Sequence, residues 1–139
     1  MCDPAVKRVE EHFRVCKIEY LHLFTPEGEL VYYGRGKKDS CPVPEGLDLA
    51  GMILTHNHPN DSDLSAADLR IMLLHGLREI RAYGRDCVYS FKAPRPRKIE
   101  IPNKDFKEWK KLFRKDPLAQ EKMAKRFGLE YGFESVCYD

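Results

Sequence analysis

Two histidines two residues apart are the residues of this chain whose type and spacing most clearly point to chemistry. His56 and His58 follow a short apolar run, residues 51–55, that predicts a buried strand. Side chains at positions i and i+2 leave a strand on the same side, so both imidazoles can reach one point in space. Since imidazole nitrogen is a common zinc ligand, the pair predicts half of a metal site.

A carboxylate can reach the same point from the helix that follows. Pro59 ends the strand because it has no N–H to donate, and a polar loop, residues 60–63, leads to Ser65. The run Ser-Ala-Ala-Asp predicts a capping hydroxyl at Ser65 and places Asp68 on the same helix face. Two histidines and one carboxylate with an open position are typical of a catalytic zinc site. The alternative is plain helix capping, with Asp68 at the positive end of the helix dipole.

This order of residues resembles the JAMM (JAB1/MPN/Mov34) metalloprotease motif, a distant Glu followed by His-x-His-Pro and Ser-x-x-Asp. The matching residues are His56, His58, Pro59, Ser65 and Asp68. The chain departs from the motif in one respect, because six residues separate His58 from Ser65 where seven are usual. RadC-like members share His-Asn-His-Pro with the longer gap, and the shorter gap is more similar to JAB domains of phage-type proteins.

The resemblance implies a glutamate at the start of a strand shortly before a turn. Residues 18–24 predict a strand, and residues 25–28 a turn that leads to a returning strand over residues 29–33. Glu19 stands near the start of the first strand and shares a face with two leucines, which suits a site. Glu11 and Glu45 are the alternatives, and Glu19 itself could be an edge charge that faces water.

By the same resemblance, His56, His58 and Asp68 are expected to hold Zn²⁺, with water in the fourth position. Zinc lowers the pKa of such a water to about 7. Glu19 is the expected base, taking the proton of the water and later giving it to the leaving amine. Ser65 is expected to donate a hydrogen bond to the oxyanion. The implied reaction is hydrolysis of a peptide or isopeptide bond, with ubiquitin-like proteins among the implied substrates.

Length, net charge and cysteine content limit the classes of protein to which this chain could belong. The 139 residues suit one domain, and the net charge of +2 does not mark the whole molecule as a polyanion binder. The N-terminus has no apolar core of a signal peptide, and no segment approaches transmembrane length. We therefore expect a cytoplasmic protein without a membrane partner. Reduced thiols are expected, since the five cysteines are odd in number and form no Cys-x-x-Cys pair: Cys2, Cys16, Cys41, Cys87 and Cys137.

The periodicities around the motif predict an α/β fold with a mixed sheet flanked by helices. Asp3 and Pro4 predict the start of a first helix. A stripe of apolar residues from Leu69 to Ile80 predicts a helix of three turns, followed by a strand pair over residues 80–83 and 87–91. The resemblance implies a JAMM/MPN-like, cytidine-deaminase-like version of this fold. Its metal-site core would span residues 17–92 of one domain, 1–139.

Residues 93–139 predict a basic, mainly helical C-terminal extension. One helix is expected over residues 104–115, a second begins with Asp116 as N-cap and Pro117 at N1, and residues 129–136 could add a strand. Residues 93–128 contain 12 Lys and Arg against 5 Asp and Glu. This excess fits either a nucleic-acid surface or a solvated amphipathic helix pair, and interspersed acids favour the helix pair.

Two other functions fit parts of the pattern. A catalytically inactive JAMM domain would act as a binding or scaffold module. A metal-dependent nuclease is indicated by the literal His-Asn-His run and the basic C-terminal third. An HNH nuclease, however, distributes its histidines over a hairpin and a helix, and gives the Ser65-x-x-Asp68 run no role.

Overall fold

A computed structural model of the protein describes residues 3–38, 40 and 42–136. This part of the chain forms a six-stranded sheet in the order β2-β1-β3-β4-β5-β6. Strands β3 and β4 run parallel and the other neighbours antiparallel, so the predicted mixed α/β sheet flanked by helices is confirmed. The elements are α1 (Pro4–Phe13), β1 (Tyr20–Phe24), β2 (Leu30–Arg35), β3 (Ile53–Asn57), α2 (Ala66–His75), β4 (Glu79–Tyr83), β5 (Cys87–Lys92), α3 (Asn103–Lys115), α4 (Ala119–Arg126) and β6 (Glu130–Ser135).

Helices cover both faces of the sheet. On one face α1 packs Val6 against Phe24 and Ile53. On the other face α2, α3 and α4 bury a larger cluster that contains Leu69 and Trp109. Because both faces are covered, every residue of the central strands β3 and β4 is buried.

Helix α1 begins as predicted. The side chain of Asp3 accepts a hydrogen bond from the backbone N–H of Ala5 at 2.8 Å, and Pro4 occupies the first turn, where it has no helical partner to lose.

The predicted helix over the stripe from Leu69 to Ile80 is wrong in its last part, whereas the predicted strand over residues 80–83 is confirmed as part of β4. Helix α2 ends at His75, and Gly76 caps it in the left-handed conformation at φ 64° and ψ 40°. Leu77 follows in the connection, and Ile80 lies in β4. Ile80 is apolar because β4 is buried on both faces, and the helical spacing of that residue is a coincidence.

The predicted N-cap at Asp116 is also wrong. Asp116 is the C-cap residue of α3, and its side chain accepts a hydrogen bond from the backbone N–H of Leu118 at 2.8 Å. This turn delays the start of α4 to Ala119. The last strand is confirmed, since β6 pairs antiparallel with β5 at the edge of the sheet.

Two sequence predictions are covered only in part. Cys16 and Cys87 are free cysteines, whereas Cys2, Cys41 and Cys137 lie outside the described residues. Within the described part, no helix has the length and apolar character that a membrane span requires.

Candidate metal centre

Two imidazoles meet at the carboxyl end of β3. His56 is the fourth residue of that strand and His58 follows its end directly. The two Nε2 atoms lie 2.9 Å apart, and the ring planes are nearly perpendicular at 84°. Both side chains are buried, as the sequence pattern of a buried strand predicts.

The other nitrogen of each ring is held by a backbone carbonyl. Nδ1 of His56 lies 2.7 Å from the carbonyl oxygen of Arg81, and Nδ1 of His58 lies 2.9 Å from that of Ser62. A carbonyl only accepts, so each Nδ1 carries the hydrogen, and in the neutral rings both Nε2 lone pairs point at the same place. Such lone pairs repel one another unless a proton or a metal ion lies between them. Metal-ligating histidines are oriented by partners of this kind.

Two buried carboxylates complete the cluster. The oxygens of Asp68 lie 3.0 Å from Nε2 of His56 and 3.6 Å from Nε2 of His58. Oε1 of Glu19 lies 3.7 Å from Nε2 of His58. One ligand atom from each of Glu19, His56 and His58 falls within 4.8 Å of the others, so these three buried residues could hold a metal ion. Asp68 approaches both imidazoles more closely than Glu19 approaches His58, and we therefore regard it as a ligand candidate as well.

The charges of the cluster favour a single positive charge at its centre. Burial lowers the pKa of His56, but the carboxylates of Asp68 and Glu19 outweigh burial and the net shift is upward. Burial and the neighbouring His56 lower the pKa of His58. Burial acts to raise the pKa of Asp68, yet the two histidines hold it at about 2. A proton on His56 is thus stabilised by the two neighbouring carboxylates.

Helix α2 positions Asp68 through a capping box. The side chain of Ser65 accepts from the backbone N–H of Asp68 at 3.1 Å, and Oδ2 of Asp68 accepts from the backbone N–H of Ser65 at 2.9 Å. Oδ1 of Asp68 is the oxygen that lies nearest to His56. Helix capping and contact with the imidazoles are therefore compatible roles of one carboxylate. The exposed Ser65 lines the same cavity as the histidines.

Glu19 is positioned by the residue between the two histidines. Oδ1 of Asn57 accepts from the backbone N–H of Tyr20 at 2.6 Å, and Nδ2 donates to the carbonyl oxygen of Ile18 at 2.8 Å. The peptide groups on both sides of Glu19 are thus fixed to β3. The alternative glutamates, Glu11 and Glu45, are exposed.

The sequence interpretation missed this role of Asn57. An asparagine at the end of a buried strand is the signal that could have revealed it, because a buried amide requires partners.

The C-terminal third of the chain holds the loop between His58 and Ser65. The hydroxyl of Tyr131 donates a hydrogen bond to Asp63, and Nε2 of Gln120 donates to the carbonyl oxygen of Leu64 at 2.9 Å. Burial raises the pKa of Asp63. These partners lie more than 50 residues away in sequence, so local pattern could not predict them.

The cluster lines a cavity of about 790 Å³. Comparison of the chain with protein-family models, with curated proteins and with solved structures finds no match in any of the three. What the site can do therefore follows from its own geometry and chemistry.

Proposed function

We propose that this chain is a zinc-dependent hydrolase of the JAMM type, which cleaves a peptide or isopeptide bond with a metal-activated water. Its main support is the convergence of the two Nε2 atoms, 2.9 Å apart, beside the carboxylate of Asp68. The mixed sheet with helices on both faces is compatible with the JAMM/MPN-like fold that we propose with it.

The donor set fits zinc. His56, His58 and Asp68 would hold the ion through two imidazole nitrogens and one carboxylate, the ligand types of catalytic zinc sites with an open position. The backbone carbonyls on both Nδ1 atoms fix the tautomers that leave Nε2 available. When bound, zinc supplies a Lewis acid and lowers the pKa of a coordinated water to about 7.

Glu19 is the proposed general base. It is buried at the edge of the cluster, and its Oε1 lies 3.7 Å from His58, farther from the imidazoles than Asp68. In the proposed reaction its carboxylate takes the proton of the attacking water and then gives it to the leaving amine. A peptide bond is broken, and the water is divided between the new acid and the new amine.

Ser65 is the proposed donor to the oxyanion. Its oxygen accepts the cap hydrogen bond from Asp68, so its own O–H is available to donate into the cavity. Loss of one such donor reduces the rate by about 10²- to 10³-fold in well-studied enzymes.

The decisive test is Glu19→Gln with zinc content and hydrolysis measured together. Apoprotein is loaded with Zn²⁺, its metal content is determined by mass spectrometry, and a library of peptides and isopeptide-linked peptides is assayed. We expect the variant to keep one zinc ion per chain and to lose about 10²- to 10⁴-fold in rate, the contribution of a general acid–base group.

Two other outcomes correct the proposal. If Glu19→Gln loses zinc while Asp68→Asn keeps it, Glu19 is the ligand and the roles of the two carboxylates are exchanged. If the zinc-loaded wild type cleaves no member of the library, the chain is a metal-binding scaffold module and not a hydrolase.

A further inference from the structure

We infer that the cavity at the metal centre accepts a substrate that carries a carboxylate close to the cleaved bond, either its own C-terminus or an Asp or Glu side chain. This inference rests on the proposed hydrolytic function and names its substrate class. The observation behind it is the charge of the cavity mouth, which the catalytic roles above do not use.

Four basic residues line the cavity together with the metal cluster: Arg14, Lys17, Lys38 and Arg85. They come from three separate parts of the chain, which are the α1–β1 connection, the segment after β2 and the β4–β5 turn. Lys17, Lys38 and Arg85 are exposed. Within residues 3–38, 40 and 42–136, none of these three forms an ion pair with a carboxylate.

A contact across the mouth fixes part of this arrangement. Nη1 of Arg14 donates to the carbonyl oxygen of Arg85 at 3.1 Å, which joins the end of α1 to the β4–β5 turn. The backbone N–H of Arg85 in turn donates to Oδ1 of Asp61 at 2.8 Å, in the loop after His58. The turn that carries Arg85 is therefore held beside the metal loop.

Among the described residues, the carboxylates that line the cavity form no ion pair with Lys17, Lys38 or Arg85. Glu19 and Asp68 belong to the metal cluster, and Asp63 accepts the hydrogen bond of Tyr131. Lys17, Lys38, Arg85 and a divalent ion would stand against three carboxylates, which would leave an excess of two positive charges when the metal is bound. An excess of positive charge in a cleft attracts ligands of negative charge and raises their association rate.

On a peptide, the groups that match such a mouth are carboxylates. The cations lie on the walls around the metal, so the matching carboxylate must lie within a few residues of the cleaved bond. A peptide rich in Lys and Arg would be repelled at the same place, and a neutral peptide would gain no attraction from these charges. The mouth therefore selects for acidic peptides or for bonds close to a free C-terminus.

The experiment compares matched peptides on zinc-loaded protein. One pair differs only by Glu against Gln beside the cleaved bond, and a second only by a free against an amidated C-terminus. We expect the acidic member of at least one pair to have a kcat/KM about tenfold higher, with an advantage that shrinks as salt is raised. The pair that responds identifies the source of the carboxylate.

The matched variants are Lys17→Gln/Lys38→Gln and, as a control, Lys107→Gln/Lys111→Gln. Both doubles remove two positive charges from exposed positions, and the control pair lies on α3 away from the cavity lining. We expect the first double to remove most of the advantage of the acidic peptide and the control to keep it. If wild-type protein cleaves the two members of each pair at equal rates, the inference is overturned and the proposed hydrolase function stands.

If no peptide is cleaved, measurements of peptide binding test the carboxylate site instead. Fluorescence anisotropy of a labelled Glu-containing peptide and its Gln counterpart is measured on zinc-loaded wild type and on both doubles. Tighter binding of the Glu peptide that is lost only in Lys17→Gln/Lys38→Gln supports the carboxylate site without hydrolysis. Equal binding of the two peptides rejects the carboxylate site, whatever the reason for the absent cleavage.

Discussion

Two buried polar clusters lie on opposite faces of the sheet at β3, and only one of them contains a guanidinium as its own cation. On the α1 face, Glu10 accepts hydrogen bonds from Thr55 at 2.6 Å and from Arg81 at 2.7 and 2.9 Å. Nη1 of Arg81 also donates to Glu79 at 2.8 Å. This cluster has two carboxylates around one guanidinium, and its donors and acceptors are matched.

The metal cluster on the other face has the same number of carboxylates and no fixed cation. His56 and His58 use their Nδ1 atoms on backbone carbonyls and turn both Nε2 atoms towards Asp68 and each other. Arg81 serves both faces, since its side chain binds Glu10 and its carbonyl orients His56. The comparison separates an ion-pair network with its own guanidinium from a cluster that could hold a cation from outside.

Removal of Asp68 should give the largest change in this comparison. We expect Asp68→Ala to lower zinc affinity by more than about 100-fold, because even residues that only hydrogen-bond to a metal's ligands contribute about 10- to 100-fold. Competition with a chromophoric chelator measures the affinity. Asp68→Asn is the matched control for the helix cap, since its side-chain oxygen can still accept from Ser65. Wild-type affinity in Asp68→Ala would exclude Asp68 as a ligand.

Removal of the Arg81 side chain should affect the fold and not the metal. Arg81→Leu leaves Glu10 and Glu79 buried without their cation, which we expect to lower the free energy of unfolding by about 3–5 kcal/mol in urea titrations. Zinc stoichiometry should stay at the wild-type value, because His56 contacts the carbonyl of residue 81. Zinc loss from a variant that keeps wild-type stability would show that the two clusters are not separable in this way.

His22, a buried histidine on the α1 face, should make the stability of the fold depend on pH. His22 pairs in register with Thr55, and its Nδ1 has no hydrogen-bond partner among the described residues. Burial, with a smaller effect of His12, lowers the pKa of His22 to about 4. The unfolded chain, with a histidine pKa of about 6.5, then binds more protons than the folded protein, so stability falls as pH drops from 6.5 towards 4.

Between pH 6.5 and 4, the free energy of unfolding should fall by about 3 kcal/mol through His22. It is measured as the difference between wild type and His22→Phe in urea titrations of metal-free protein, since the metal-site histidines are common to both. Phenylalanine suits the position because the ring of His22 packs against Phe13 and Tyr33. Identical pH slopes in the two proteins would contradict the low pKa of His22.

Replacement of Asn57 should give the smallest effect on stability. It tests whether the hydrogen bonds of Asn57 position Glu19. Asn57→Ala leaves the N–H of Tyr20 and the carbonyl of Ile18 without their side-chain partner, which costs about 1–3 kcal/mol. We expect zinc to be retained and kcat to fall while KM changes little, because the backbone that carries Glu19 is released. A change in KM alone would assign Asn57 to substrate binding instead.

Short-range pattern was sufficient for most of the elements. Alternation and apolar runs predicted the strands, and the cap residues Asp3 and Ser65 predicted where α1 and α2 begin. The hydrophobic pattern was misleading where the same apolar spacing fits either one long helix or a shorter helix followed by a buried strand. The apolar stripe from Leu69 continues at helical spacing to Ile80, although Gly76 ends the helix and Ile80 belongs to a buried strand.

The sequence by itself determined the identity and order of the groups that can bind a metal. His56 and His58 share one side of a strand end, and Ser65 and Asp68 share the first turn of a helix, because both spacings follow from backbone geometry. Only the tertiary structure decided that these two segments and Glu19 surround one point. It did so through partners distant in sequence, such as Asn57 on the segment of Glu19 and Tyr131 on the metal loop. Hydrogen bonds between distant segments depend on how the sheet and helices pack, and no local period of a sequence records that packing.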